Sequence, residues 1–426
     1  MKKTLVSLAT ASLLASGAMA ADKGIDIVTT GQAAVYYETH QDDGNTDTTL
    51  FDKDDSAANV GIQLNLDADL KNNFTFGSQI TYLGTAGIEH NLVGATRQTA
   101  SRWGVGGVTH DDLTDEIALT KIFIAKKIGN TTVKIGRQEL PKSLSPFAFS
   151  ESWNVFKNTF EAILVVNSDI PDTTLVGAYV SASNSSIGNI SAFGDIGGTG
   201  AVGSGGAYLA TVQNKSIPMA TVTASYYDVA KAIGADGVSV MWGDVAIAGK
   251  DLPMGLKVGI QGGTIQTDTN GVADTTAYGV KVGLKPIDAL ALCVAYTSVD
   301  GDDNKVNPTM SNVGTGVKTP LYTQMLLNQN AIKLDADTFL VKGVYNTGDY
   351  GKIIAQYTGT TAGKSNVMGA DKDYNEFDLV YKVKAAGVNY LLAYINRTID
   401  KGGNMGLTTA AAEQDDRVRI VARYNF

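Results

Sequence analysis

The sequence predicts an all-β protein, a transmembrane antiparallel β-barrel of about eighteen strands with short turns at one end and long loops at the other. Three observations predict it. Apolar and polar side chains alternate with a period of two along many segments, which places them on opposite faces of a strand. The connections alternate in length, as they do in transmembrane barrels. The last segment, 416–426, keeps the alternation and ends on the aromatic residue Phe426.

The amino terminus has the pattern of a secretory signal peptide. A basic pair, Lys2 and Lys3, precedes an apolar stretch, and Ala18-Met19-Ala20 forms the small-x-small motif after which cleavage is expected. Nothing later in the sequence reaches the run of about 18 apolar residues that a spanning helix needs. The predicted organisation is a signal peptide over 1–20 and one outer-membrane barrel over 21–426.

The composition excludes some classes of partner. Without Lys2 and Lys3 the chain has 32 basic and 43 acidic side chains, a formal charge of −11. A nucleic-acid partner would require a basic stripe, so none is expected. The negative charge suits a pore that prefers cations.

The strands follow one another through the whole chain. In the second of them Ile62 and Leu64 alternate with Gln63 and Asn65, a pattern that a long amphipathic helix would not keep. Sixteen strands are the alternative, because 183–249 is the least regular part. The eighteen predicted strands are 25–37, 56–70, 74–83, 114–128, 131–138, 158–168, 173–182, 206–213, 219–227, 237–249, 255–263, 275–284, 289–297, 337–346, 351–358, 375–383, 388–396 and 416–426.

Lipid explains why such a sheet closes. An open edge in hydrocarbon leaves unpaired backbone groups at a cost of several kcal/mol each, so the strands must pair all the way round. At this strand number the interior is too wide for wall side chains to fill, so the polar face lines water.

The chain also resembles a known family. Gly-Arg-Gln-Glu-Leu at 136–140, Phe-Glu-Ala at 160–162 and the closing Tyr-Asn-Phe are similar to OprD-type porins and the related major outer-membrane porins of epsilonproteobacteria. The resemblance implies an eighteen-stranded trimeric porin whose third outer loop, 139–157, folds into the lumen. A continuous arginine ladder, expected of the substrate-specific members, is not recognisable in the sequence, and this favours a general pore.

A pore constriction requires opposed charges across a narrow gap of low dielectric constant. The third loop supplies charged residues, with Trp153 and Phe147 as packing anchors, and the wall supplies others by alternation. The alternative for each residue is a charge that is simply solvated on a water-lined face. The predicted constriction residues are Glu139, Lys142 and Glu151 from the loop and Arg137, Glu161, Arg417, Arg419 and Arg423 from the wall.

No catalytic set or cofactor is expected. Asp300, Asp302 and Asp303 have the carboxylate density of a calcium loop, but Ser311 stands where an EF-hand has its bidentate glutamate. They are therefore only weak candidates for Ca²⁺, and a solvated loop is preferred. No histidine falls in a metal-binding or catalytic pattern, so an enzyme is not expected.

The sequence predicts a general diffusion porin that passes small hydrophilic solutes and ions, with a preference for cations. One alternative is a substrate-specific channel for amino acids or small organic anions. The other is an adhesin in which the long outer loops bind a partner. Expected partners are outer-membrane lipid and lipopolysaccharide, two further copies in a homotrimer, and the barrel-assembly machinery through the C-terminal strand.

Overall fold

The computed structural model describes residues 25–43, 49–102, 113–184, 188–197, 205–233, 236–363, 372–400 and 414–426. These residues form one closed antiparallel barrel of eighteen strands with one additional short strand. No helix among them is both long enough and apolar enough to cross a membrane. The strands are β1 (Asp26–Asp42), β2 (Ser56–Lys71), β3 (Phe74–Gly84), β4 (Glu116–Ile128), β5 (Thr131–Gln138), β6 (Phe160–Asn167), β7 (Thr173–Asn184), β8 (Phe193–Asp195), β9 (Ala207–Asn214), β10 (Ala220–Ile233), β11 (Asp236–Ala248), β12 (Lys257–Gln266), β13 (Thr275–Ile287), β14 (Leu290–Val299), β15 (Ala336–Asn346), β16 (Lys352–Ala362), β17 (Lys372–Ala385), β18 (Val388–Ile399) and β19 (Gln414–Asn425).

The barrel strands pair in chain order. The one exception is β8, which pairs only with the end of β7, so that β7 continues to β9. The sheet closes where β1 pairs with β19, from Gln32 opposite Asn425 to Asp42 opposite Asp415. The predicted eighteen strands are confirmed and the alternative of sixteen is wrong. Outside the sheet lie helix α1 (Gln329–Ile332) and three 3₁₀ turns, at Ile88–His90, Pro253–Gly255 and Gly348–Tyr350.

The two faces of the wall follow the predicted alternation. In β17, Phe377 and Leu379 are exposed on the outer face, whereas Glu376 and Asp378 face the lumen and are fully buried. The outer face is therefore apolar and the inner face polar, the reverse of a soluble sheet protein. Aromatic residues exposed on the outer face include Tyr208, Tyr226, Tyr278, Tyr296, Phe339, Tyr345, Tyr357, Phe377, Tyr381, Tyr390, Tyr394 and Tyr424.

The carboxyl terminus is held in the closing seam. Gly31 and Phe426 exchange two backbone hydrogen bonds, of 2.6 and 3.0 Å. The Phe426 ring lies where a Cβ on residue 31 would be, so glycine is required there.

Two of the described connections pack against each other inside the lumen, where one infolded loop was predicted. We call 139–159, between β5 and β6, the constriction loop, and 300–335, between β14 and β15, the second loop. The interior core joins them: Phe147 and Leu140 of the constriction loop belong to one buried cluster with Met310 and Leu321 of the second loop. The infolded third loop is confirmed, and the second loop packs with it inside the lumen.

Candidate pore constriction

Glu151 joins the two loops. Its carboxylate is almost fully buried and accepts hydrogen bonds from the Asn312 side chain at 2.9 Å, the Lys318 backbone N–H at 3.0 Å and the Thr315 hydroxyl. The other oxygen accepts one from the Trp153 indole at 2.7 Å. The structure thereby corrects the predicted role of Glu151. It anchors the second loop to the constriction loop and is not a free charge on the pore surface.

Glu38 of β1 is the centre of a buried ion-pair network on the lumen wall. Its oxygens lie 3.5 Å from Arg97, 3.2 Å from Arg417 and 2.6 Å from Arg419. The guanidinium of Arg419 also lies over the Tyr36 ring, 5.6 Å from its centroid. Arg97 comes from the loop between β3 and β4, so this network ties a third connection to the wall.

Asp415 of β19 extends the same network. It lies 2.5 Å from Arg397 of β18 and 2.8 Å from Arg417. Arg417 therefore bridges Glu38 and Asp415. The two carboxylates together contact four arginines, Arg97, Arg397, Arg417 and Arg419.

Lys318 of the second loop lies near this ion-pair network, close enough for Arg419 to act on its charge. Its ammonium donates to the Leu326 carbonyl and the Gln329 side chain, each at 2.8 Å, and lies 5.1 Å from the centroid of the Trp153 ring. Burial lowers the pKa of Lys318 to about 8, although the carboxylates of Glu376 and Glu151 act to raise it. Lys318 still carries its charge at neutral pH.

The carboxylates of β17 are used as anchors. Glu376 accepts from the Leu327 backbone N–H at 2.9 Å and from the Tyr374 hydroxyl. Asp378 accepts from the Gln356 amide at 2.6 Å. Neither carboxylate lines the two cavities described next.

Two cavities meet at Trp153. The outer cavity, toward the long loops, has about 410 Å³, and the cation cavity, toward the short turns, has about 930 Å³. Trp153 lines both and lies between them. The charged side chains on the outer cavity are Arg97, Arg102, Arg397 and Arg417, and those on the cation cavity are Lys285, Lys352, Lys382, Lys384, Arg419, Arg423 and the single carboxylate Asp288.

Arg137 and Glu161 lie on the outer face of the barrel, not on the lumen wall as predicted. Arg137 is the register partner of Ile122, which is exposed on the outer face, and register partners share a face. It pairs with Glu161 at 2.8 Å, donates to the Leu119 carbonyl at 3.0 Å, and lies under the Phe193 ring. The ion pair joins the end of β5 to the start of β6 on the outer face, on either side of the constriction loop. The prediction that Arg137 and Glu161 line the constriction is therefore wrong.

The other predicted residues face the lumen. Arg417, Arg419 and Arg423 line the cavities, although Arg423 also donates to backbone carbonyls of the constriction loop. Lys142 donates to the Thr319 carbonyl at 2.8 Å and so links the two loops. Glu139 lies between two lysines at the base of the constriction loop.

The Glu139 bridge leads to a prediction about pH. Glu139 contacts Lys121 of β4 at 2.5 Å and Lys157 at 2.6 Å. Burial acts to raise the pKa of Glu139, but the two ammonium groups outweigh it and hold the pKa below the ordinary 4.5. Because the pKa is lowered in the folded state, the contribution to stability is present above the ordinary pKa and lost as pH falls through the lowered one.

We expect Glu139→Gln to destabilise the protein by about 0.5–1 kcal/mol at pH 7, as partly exposed ion pairs do. Thermal unfolding of both proteins at pH 7 and at about pH 3 checks this, since the difference should shrink on acidification. A difference that grows at low pH would contradict the assignment. Asp288→Asn, at an exposed turn pair with Lys285, serves as the control.

The acidic loop at 300–303 lies beside Lys305. Asp302 accepts a hydrogen bond from the backbone of Asn304 and lies 3.9 Å from Lys305. Within the described ranges, no group of three or more histidine, cysteine or acidic side chains could hold a metal ion. Asp300, Asp302 and Asp303 are therefore placed on a polar loop surface.

Sequence reasoning missed several residues of this site. Arg97 lies in a long loop that has no periodicity to read. Arg397 follows the inward apolar residues Ala393 and Ile395 on β18, so the pattern did not indicate a polar position. The run of apolar residues within the second loop, such as Met325 and Leu327, was the one available signal that this connection is buried.

Comparison with solved structures finds the same fold. OprE (OccK8) of Pseudomonas aeruginosa superposes with a TM-score of 0.70 at 15% identity, covering 94% of this chain and 98% of that one. OpdK of the same organism, solved with vanillate, gives 0.71 at 13%, covering 94% and 98%. OccAB2 of Acinetobacter baumannii gives 0.68 at 16%, covering 93% and 98%. No protein-family model and no curated protein matches the sequence.

Proposed function

We propose that this protein is an outer-membrane channel through which small hydrophilic solutes diffuse, and that it prefers anions. The single observation that carries the proposal is the sign of the charges along the cavities on either side of Trp153. Four arginines and no carboxylate line the outer cavity among the described residues, and six cationic side chains with one carboxylate line the cation cavity. An anion meets cationic groups on both sides of the constriction.

The lumen path is narrow and is lined by protein of low dielectric constant, and both properties strengthen the effect of the lining charges on a passing ion. Charges that line a confined path raise the local concentration of the opposite ion, and rings of Arg and Lys are typical of anion pores. The negative charge of the whole chain pointed to cations, but Glu38 and Asp415, which pair with four of the lining arginines, do not themselves line either cavity. The lining charges therefore carry more weight than the total.

The solute class we propose is small organic carboxylates. Guanidinium groups bind carboxylates by paired hydrogen bonds, and the Trp153 ring offers a flat apolar surface beside Arg97 and Lys318. The presence of vanillate in the OpdK structure supports this choice, since that protein has the same fold. A substrate-preferring channel is thereby favoured over the general pore expected from the sequence.

Localisation and assembly are proposed on the same basis. The apolar outer face, the aromatic side chains on it and the closed barrel support insertion in a bacterial outer membrane after removal of 1–20. We further propose a homotrimer in contact with lipopolysaccharide, and recognition of β19 by the barrel-assembly machinery, as the resemblance to OprD-type porins implies.

A planar bilayer recording in a KCl gradient tests the ion preference. We expect a reversal potential of the sign given by chloride permeation. The variant Lys382→Gln/Lys384→Gln, which removes two charges from the cation cavity, should shift that potential toward zero or beyond. Lys250→Gln, an exposed turn lysine outside these cavities, is the matched control and should leave it unchanged. A cation-selective potential in the unaltered protein would overturn the proposal.

A further inference from the structure

A third cavity in the lumen has a chemistry of its own. It has about 630 Å³ and lies at the short-turn end, between the constriction loop and the part of the wall formed by β1, β2, β3 and β19. Carboxamides dominate that wall. We call the cavity the amide cavity, and its wall residues Gln32, Gln63, Asn65, Gln79 and Asn425 the amide wall.

The register places these carboxamides side by side. Gln32 is opposite Asn425 on one side and opposite Gln63 on the other, and Asn65 is opposite Gln79. Because register partners share a face, the five residues form one continuous patch on the inner surface of four neighbouring strands.

Hydrogen bonds hold the patch in one arrangement. Gln79 donates to Asn65 at 2.7 Å, and Gln63 donates to Gln79 at 3.1 Å. At the other edge Gln32 donates to Asn425 at 2.7 Å. A carboxamide has two N–H donors and a carbonyl acceptor, so each of these residues keeps hydrogen-bonding capacity after its contacts within the wall.

Two groups remain open within the described part of the chain. The side-chain carbonyl oxygen of Gln63 and the side-chain nitrogen of Asn425 take part in no hydrogen bond there. Their strands are separated by β1, which sets their backbones about 10 Å apart, twice the spacing between neighbouring strands. The wall thus presents an acceptor and a donor at a separation that suits a ligand with several hydroxyl groups.

The charged side chains around this cavity are Lys121, Lys157, Arg423 and the carboxylate Glu139, and each of them contacts another protein group. Glu139 bridges Lys121 and Lys157. Arg423 lies between the amide cavity and the cation cavity. It donates to the side-chain oxygen of Gln32 at 3.1 Å and to the backbone carbonyl of Asn154 at 2.6 Å. A charged solute therefore meets charged groups that already have protein partners, whereas a hydroxyl can donate to and accept from the carboxamides at once.

We propose that the amide cavity binds neutral, hydroxyl-rich solutes of the size of a monosaccharide or disaccharide. This site is separate from the proposed preference for carboxylates. It rests on the proposed function in one respect, because the solute must reach it through the lumen. Arg423 divides the short-turn end of the lumen into one compartment for anions and one for neutral polyols.

The test is calorimetric titration of the full-length protein in detergent with maltose, glucose and glycine. We expect saturable binding of the saccharides and none of glycine. In Gln63→Leu/Asn65→Leu the saccharide affinity should fall about tenfold, the effect of removing one or two hydrogen-bonding groups. Asn389→Leu replaces a carboxamide that lines the cation cavity and should leave the affinity unchanged. No saccharide binding, binding of glycine alone, or equal affinity in the double variant would each overturn the proposal.

Bilayer recordings on the same preparations separate this inference from the proposed function. A protein that binds saccharide but passes no current would refute the channel and leave the site standing. A protein that shows the expected chloride-type reversal potential without saccharide binding would refute the site alone.

Discussion

Replacing Trp153 with alanine is expected to raise the single-channel conductance by roughly a factor of two, because the indole is the side chain that separates the outer cavity from the cation cavity. Its ring is held by Arg97, 5.9 Å from the centroid, and by Lys318 at 5.1 Å. Its N–H is bonded to Glu151. A ring fixed on three sides narrows the path permanently, and its removal joins two volumes of water.

The same variant should discriminate less between solutes. An aromatic carboxylate gains both an ion pair and a flat apolar contact at this point, and the substitution removes the second. Conductance in KCl and the block of that current by benzoate are the measurements. Trp153→Phe keeps most of the ring and should behave like the unaltered protein. Equal conductance of the alanine variant would show that the path runs elsewhere.

The strands could be predicted because two solvents act on the wall. Lipid selects apolar residues on one face and water selects polar ones on the other, so a period of two is imposed along each strand. β17 is an example: Phe377 and Leu379 alternate with Glu376 and Asp378, and the structure places them outside and inside. The extra strand β8 was missed because three residues are too few for a period.

Arg137 and Glu161 lie on the outer face, although their charge alone suggests the water-lined face. A charged side chain was assigned to the water face, although Ile135 on the same strand puts Arg137 on the outer face by simple alternation. The structure accommodates the charges there because they pair with each other and are covered by Phe193. A paired and covered charge costs far less in an apolar surface than an isolated one.

The loops could not be predicted because their contacts have no local signature. Glu151 and Asn312 are far apart in the sequence and meet only when both loops are inside the lumen. Arg97 reaches Glu38 from a third connection. Such sites depend on which loop enters the barrel, and loop residues carry no periodicity that reports it.

Truncation of Glu151 to alanine is expected to detach the second loop from the constriction loop. Four donors would lose their acceptor: the Asn312 amide, the Thr315 hydroxyl, the Lys318 backbone N–H and the Trp153 indole. Hydrogen bonds to a buried charged group contribute about 1.5–3 kcal/mol, and their loss leaves buried donors unsatisfied. The strands keep their own hydrogen bonds, so the loss should be confined to the loops and leave the barrel folded.

Hydrogen exchange gives the direct readout. Backbone amides at 312–318 should exchange about a hundredfold faster in Glu151→Ala, because opening of this segment would cost that much less free energy. Bilayer traces should also become noisy as the second loop moves in the lumen. Glu161→Ala removes a carboxylate from the outer face and should leave both readouts unchanged, since Glu161 contacts Arg137 and not the second loop. Slow exchange and quiet traces in the Glu151 variant would mean that other contacts, such as Lys142 with the Thr319 carbonyl, suffice to hold the loops together.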